Sequence, residues 1–124
     1  MELHESAEDY LETILKLSEK IGHVRAVDVA NELGFSRPSV SIAMKKLSEN
    51  GYVSSDESGY LVMTKKGRAV AEKTYSTHKL LVNVLEAIGV KTKTAEKEAC
   101  KIEHDISEST VSLISKYYKE KMNH

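Results

Sequence analysis

Hydrophobic positions in the first third of the chain recur at three- and four-residue intervals. In "SAEDYLETILKLSEKIG", Leu11, Ile14, Leu15, Leu17 and Ile21 follow the period of an amphipathic helix starting at Ser6, with Gly22 past its end. Asp9, Glu12, Lys16 and Glu19 mark its polar edge. "AVDVANELG" predicts a short helix with Val27, Ala30 and Leu33 inward and Gly34 as its stop. A very short turn leads to "FSRPSVSIAMKKLSENG", where Ser36 is a good N-cap, Pro38 sits in the first turn, and Val40, Ala43, Met44 and Leu47 form the buried stripe. Two helices joined by a tight turn are a helix-turn-helix unit.

After Gly51 the period shortens to that of strands. "YVSS" and "YLVMT" flank "DESG", whose Gly59 can take a positive φ, so the segment reads as a β-hairpin and the whole as a winged helix. Thr64 caps a long helix from Lys65 to about Ile88, with Leu80, Leu81, Val84, Leu85 and Ile88 as an apolar seam. After the loop "GVKTKT", Thr94 caps a short helix through His104, and Ser107 caps a last one, "ESTVSLISKYYKEK". The expected fold is mainly α: a winged helix-turn-helix DNA-binding domain over 1–73, then an all-helical domain over 74–124 whose seam points to dimerisation.

With 124 residues, 18 Lys and Arg against 19 Asp and Glu, and ordinary hydrophobic content, the chain reads as soluble and globular. No apolar run approaches the roughly 18 residues that span a bilayer, and the N-terminus does not resemble a secretory signal. A cytoplasmic protein is expected, with no membrane partner. The single cysteine, Cys100, forms no internal disulfide, in keeping with a reducing compartment.

Charge is unevenly placed. Residues 1–24 carry six acids and two bases, whereas residues 37–73 carry seven bases and four acids. The base lies where a helix-turn-helix meets phosphate. On the second helix of that unit, Ser36, Arg37, Pro38, Ser39, Ser41, Ile42, Lys45 and Lys46 lie at its start or away from the buried stripe and are the candidate DNA contacts. Ile42 stands about 200° from both Val40 and Met44 on the helical wheel, an exposed branched side chain suited to a thymine methyl. The hairpin tip carries Asp56 and Glu57, which disfavour phosphate, so the wing is expected to add little affinity.

A second chemistry sits in "EACKIEHDIS". Cys100, Glu103 and His104, at i, i+3 and i+4, can converge on one helical face. Asp9 and Glu12 are likewise three apart, and His78 lies among leucines midway along the long helix, where a polar ring needs a partner. Each has an ordinary explanation: Ser6-x-x-Asp9 is a capping box, Glu12 pairs with Lys16, and a lone helical His is a satisfied core or surface group. Together, oxygen, nitrogen and sulfur donors on three helices suit an intermediate divalent ion such as Fe(II), Mn(II), Co(II), Ni(II) or Zn(II).

"AEDYLETILKL", "SRPSVS", "THKLL" and "EACKIEHDIS", in this order, resemble the iron- and manganese-dependent transcriptional repressors, in a short two-domain form that ends before the SH3-like domain of longer members. The resemblance implies repression of metal-uptake genes by a homodimer on a double-stranded, palindromic operator. It also implies an ion held by Asp9, Glu12, His78, Cys100, Glu103 and His104. Asp9 and Glu12 match the manganese branch, whereas Cys100 stands where the iron branch has its cysteine. The thiolate tilts the expected ion toward Fe(II), with Mn(II) the other candidate. Glu96 falls where iron-branch members have an ancillary histidine, and Val82 replaces that site's acidic partner. Ile42 stands where the iron branch reads DNA with a glutamine. The alternative is a metal-independent winged-helix regulator; an enzyme is not expected, since the chain has no Gly-rich phosphate loop and no nucleophile elbow.

Overall fold

The structure, a computed structural model, describes residues 5–123; the side chains of residues 5 and 6, and with them the expected Ser6–Asp9 capping box, lie outside the described part. The chain forms two compact units that divide between Lys73 and Thr74.

The first unit contains α1 (Glu5–Ile21), α2 (Ala26–Leu33), α3 (Arg37–Glu49), β1 (Val53–Ser55), β2 (Leu61–Met63) and the start of α4 (Lys65–Ala87). Leu11, Ile14, Leu15 and Leu17 of α1 are buried as their spacing predicts, joined by Ala7 and Tyr10. Ile21 is not, being 50% exposed where the last turn runs out beside Gly22. On α2 the inward residues are Val29 and Ala30, while Val27 and Leu33 are only half-buried. Ala26, Val29, Ala30 and Leu33 follow the i, i+3, i+4, i+7 spacing of one face, whereas Val27 stands about 200° from Val29 on the helical wheel. Arg25 precedes this helix, and its backbone N–H donates to Asp28 Oδ2 at 2.8 Å.

Between α2 and α3 the chain reverses at Gly34, whose φ of 72° is left-handed. Ser36 caps α3 by accepting from the Ser39 N–H at 3.3 Å, and Pro38 sits in the first turn without cost. Val40, Met44 and Leu47 are buried, each complete burial of this kind stabilising by about 1.5–3 kcal/mol. β1 and β2 pair antiparallel with Val53 opposite Met63. Tyr60, expected in the second strand, belongs to the turn, because its N–H and that of Ser58 both donate to Asp56 Oδ1 at 2.9 Å. The Leu61 N–H donates to Val24 O at 2.7 Å, tying the hairpin to the α1–α2 connection.

Thr64 caps α4 by accepting from the Gly67 N–H at 3.1 Å, and its hydroxyl donates to Tyr52 O at 3.2 Å. Gly67 lets α4 begin against the backbone of Tyr52, since a Cβ there would lie 2.0 Å from Tyr52 O.

The second unit comprises the rest of α4, α5 (Thr92–Ile102) and α6 (Glu108–Met122). α5 starts two residues before the expected Thr94 cap, after Lys91, and ends at Ile102 instead of running through His104. Ser107 caps α6 as expected, accepting from the Thr110 N–H at 3.2 Å. The apolar seam of α4 is only partly covered: Leu81 is buried, Val84 and Leu85 are half-buried, and Ile88, just past the helix end, is 74% exposed. No described residue of α6 is buried, which leaves Leu113 and Tyr117 exposed.

Gly67→Ala is expected to lower stability by at least about 1–3 kcal/mol, because backbone on both sides resists the added methyl; urea unfolding of the full chain followed by circular dichroism measures it.

Candidate metal centre and nucleic-acid interface

In the second unit the end of α5 arranges three donors. Cys100 occupies the last turn, and Glu103 follows as the C-cap with helical dihedrals (φ −59°, ψ −24°), its N–H donating to Ala99 O. Because Glu103 still follows the helical path, the i, i+3, i+4 relation survives although the regular helix stops at Ile102. Cys100 Sγ, a Glu103 oxygen and a His104 nitrogen all lie within 4.8 Å of one another. Ala95 and Ala99 are wholly buried, and Glu103, one and two turns further along the same face, continues that packed stripe as a buried carboxylate.

Glu103 joins α5 to α4. Its Oε2 lies 2.7 Å from His78 Nδ1, and its Oε1 is 3.5 Å from His104 Nε2. The Glu103 side chain has no exposure at all, and those of His78 and His104 are 13% and 3% exposed. Atoms bound to one ion at about 2.0–2.2 Å and a right angle lie about 3 Å apart, so the His78–Glu103 separation fits two ligands of one ion. It equally fits a carboxylate orienting an imidazole whose other nitrogen binds.

In the first unit, Asp9 and Glu12 lie on one edge of α1. Glu12 is 5% exposed; its Oε1 is 2.9 Å from Lys16 Nζ, as the i, i+4 spacing predicts, while Oε2 is buried with no hydrogen-bond partner. A buried carboxylate oxygen lacking a partner is costly unless something positive meets it. The orphaned oxygen in the first unit, and in the second the buried Glu103 with nitrogen and sulfur donors beside it, each have the chemistry that a divalent transition ion satisfies.

The candidate DNA contacts lie on the outer face and at the start of α3. Ser36, Arg37, Pro38, Ser39, Ser41, Ile42, Lys45 and Lys46 are all exposed, Ile42 to 60%. Some bases of the 37–73 stretch are already engaged within the fold. Lys66 Nζ donates to Asn50 O at 3.2 Å and lies 4.3 Å from the centre of the Tyr52 ring, and Arg68 pairs with Glu72 at 3.5 Å. At the wing tip Asp56 shapes the turn through the two N–H groups it accepts. On the same turn, the Tyr60 ring stacks on His23 at 4.6 Å and carries the Arg25 guanidinium at 4.5 Å. Periodicity could not reveal that cluster, because it joins the α1–α2 connection to the hairpin turn.

A groove of about 730 Å³ in the second unit runs along the C-terminal end of α4 and most of α6, lined chiefly by Val84, Ile88, Leu113, Ile114 and Tyr117.

A winged helix-turn-helix carrying a helical unit with clustered metal donors defines a class of metal-responsive DNA-binding regulators. The iron dependent repressor N-terminal DNA binding domain matches residues 2–61, and the iron dependent repressor metal binding and dimerisation domain matches residues 64–122. The chain belongs to the iron-dependent repressor family of metal-dependent, DNA-binding transcriptional repressors. It is 32% identical over 107 residues to the transcriptional regulator MntR of Escherichia coli O6:H1, covering 86% of this chain and 69% of that one. Identity to the HTH-type transcriptional regulator MntR of Geobacillus kaustophilus is 32% over 118 residues, 93% of this chain and 84% of the relative. The solved manganese regulator SloR matches with a TM-score of 0.80 at 30% identity over 91% of this chain and 53% of that one. This chain thus spans about half the length of that solved protein. No described helix is long and apolar enough to cross a membrane.

Neutralising Lys45 and Lys46 is expected to weaken DNA binding on every sequence alike and to reduce the slope of log affinity against log salt by about 0.9 for each phosphate no longer neutralised. Fluorescence anisotropy at several salt concentrations measures the slope.

Proposed function

We propose that this protein represses metal-uptake genes in the cytoplasm by binding a palindromic DNA operator as a homodimer when Fe(II) or Mn(II) is present. The observation that carries the reading is Glu103, a fully buried carboxylate between two imidazoles, with Cys100 one helical turn before it. The donors we assign are Asp9 and Glu12 from α1 with His78, Cys100, Glu103 and His104 from the second unit. When bound, the ion supplies positive charge and a fixed coordination geometry. Hard oxygens admit Mn(II), and the Cys100 thiolate shifts the preference toward Fe(II); Co(II), Ni(II) and Zn(II) suit the same donors in vitro.

Ligands from two units on one ion narrow the range of arrangements those units adopt. In a dimer this restricts the separation of the two recognition helices toward the half-site spacing of about 34 Å or a multiple. Affinity rises without any new base contact, and linkage requires DNA to tighten metal binding by the same factor, typically about 5- to 150-fold. Glu12, left without metal, adds to the negative charge of the N-terminal stretch, which disfavours DNA. For dimerisation we assign the α4–α6 groove, since Ile88, Leu113 and Tyr117 expose apolar surface that a second copy would cover. A metal-independent regulator would leave the orphaned Glu12 oxygen and the buried Glu103 without a purpose.

Anaerobic calorimetry of chelator-treated protein is expected to show Fe(II) and Mn(II) binding, with Cys100→Glu shifting preference toward Mn(II). Glu12→Ala and His104→Ala are expected to abolish most metal-dependent DNA affinity while keeping the circular dichroism spectrum. Equal operator affinity in chelator and in metal would refute the proposal. Leu113→Glu is expected to weaken the dimer at least about tenfold, the cost of burying an unpaired charge, as read by sedimentation equilibrium.

A further inference from the structure

The two oxygens of Glu12 are not equivalent. Oε1 lies 2.9 Å from Lys16 Nζ, whereas Oε2 is buried and unpartnered. Lys16 stands one helical turn beyond Glu12 on α1, so the pair is local to that helix and is available whether or not metal is present. The Lys16 side chain is 43% exposed, which lets it reach water once it leaves the carboxylate; Glu12 at 6% has no such exit.

We infer that Lys16 is an internal counter-ion of the metal site, occupying Glu12 Oε1 and raising the concentration at which a divalent ion takes that carboxylate. The inference rests on the metal-dependent reading above and adds a residue that sets the response threshold. Positive charge arriving at Oε2 would meet the same carboxylate that the Lys16 ammonium already holds through Oε1, and repulsion between a double and a single positive charge would oppose binding. Lys16 would either stay on Oε1 and oppose the ion or give up its pairing with Glu12 for water. Either route weakens binding relative to a neutral side chain at position 16. Partial exposure screens the effect, and we place it on the order of tenfold in affinity. A purely orienting role for Lys16 has the opposite sign, because losing it would let the Glu12 carboxylate wander and weaken the site.

Calorimetric titration of the chelator-treated full chain with Mn(II) alone, for wild type, Lys16→Met, Lys16→Gln and Lys16→Arg, decides the matter. Circular dichroism checks the fold of each. Lys16→Met and Lys16→Gln are expected to bind Mn(II) about tenfold more tightly, with less change in affinity between low and high salt, and Lys16→Arg to stay near wild type. Unchanged or weaker binding by both neutral variants overturns the inference while leaving the metal-dependent reading intact. Absence of Mn(II) binding, with Fe(II) equally inert on the wild type, overturns both.

Discussion

Burying a carboxylate completely is unfavourable unless charge or hydrogen bonds surround it, and Glu103 meets that condition on one side only: Oε2 lies 2.7 Å from His78 Nδ1, whereas the buried Oε1, 3.5 Å from His104 Nε2, makes no hydrogen bond. The contact to His78 spans from α5 to the middle of α4, so a polar pair does in this small unit what a larger hydrophobic core does elsewhere. Apolar packing there is thin: Leu81, Ala95 and Ala99 are its buried hydrophobic residues among those described, and α6 adds none. A unit built this way depends on what occupies its polar centre and on what covers its apolar surface. Both dependencies suit the proposed response to a metal and the proposed dimer.

The first unit is constructed differently. Its core is a continuous set of aliphatic side chains from α1, α2 and α3, with Leu11, Val29 and Val40 showing no exposure. The recognition helix is held by its apolar stripe, so its outer face is free of structural duty and can carry Arg37, Ile42, Lys45 and Lys46. The close start of α4 on Tyr52, possible only with glycine at position 67, anchors that helix to the first unit. Glu12 belongs to the same rigid helix as the core leucines, and a change at that carboxylate therefore acts on a body rather than on a loop.

Lys16 shows how a sequence pattern acquires a different meaning in a site. On an exposed helix an i, i+4 Glu–Lys pair contributes only a few tenths of a kcal/mol. Here one partner is buried and has a second oxygen with nothing to bind. The same pair then bears on how readily that carboxylate accepts a competing cation.

Periodicity, caps and glycines were enough to place six helices and a hairpin, because amphipathic spacing and cap chemistry are local properties. The spacing of Cys100, Glu103 and His104 likewise showed that they share a face, and the four short motifs pointed to the family. Local rules were weaker where several residues compete for one place: Val29 over Val27 as the inward residue of α2, Lys91 over Thr94 as the start of α5, and an exposed Ile21. The pairing of His78 with Glu103, the orphaned oxygen of Glu12, the commitment of Lys66 to Asn50 and Tyr52, and the stack of His23, Tyr60 and Arg25 came only from the tertiary structure. Each of these joins groups whose meeting depends on packing, or on burial that sequence alone does not assign. Sequence by itself determined which elements form and which donors they carry; folding decided which of those donors are stripped of water, and desolvation is what makes a carboxylate or an imidazole seek an ion.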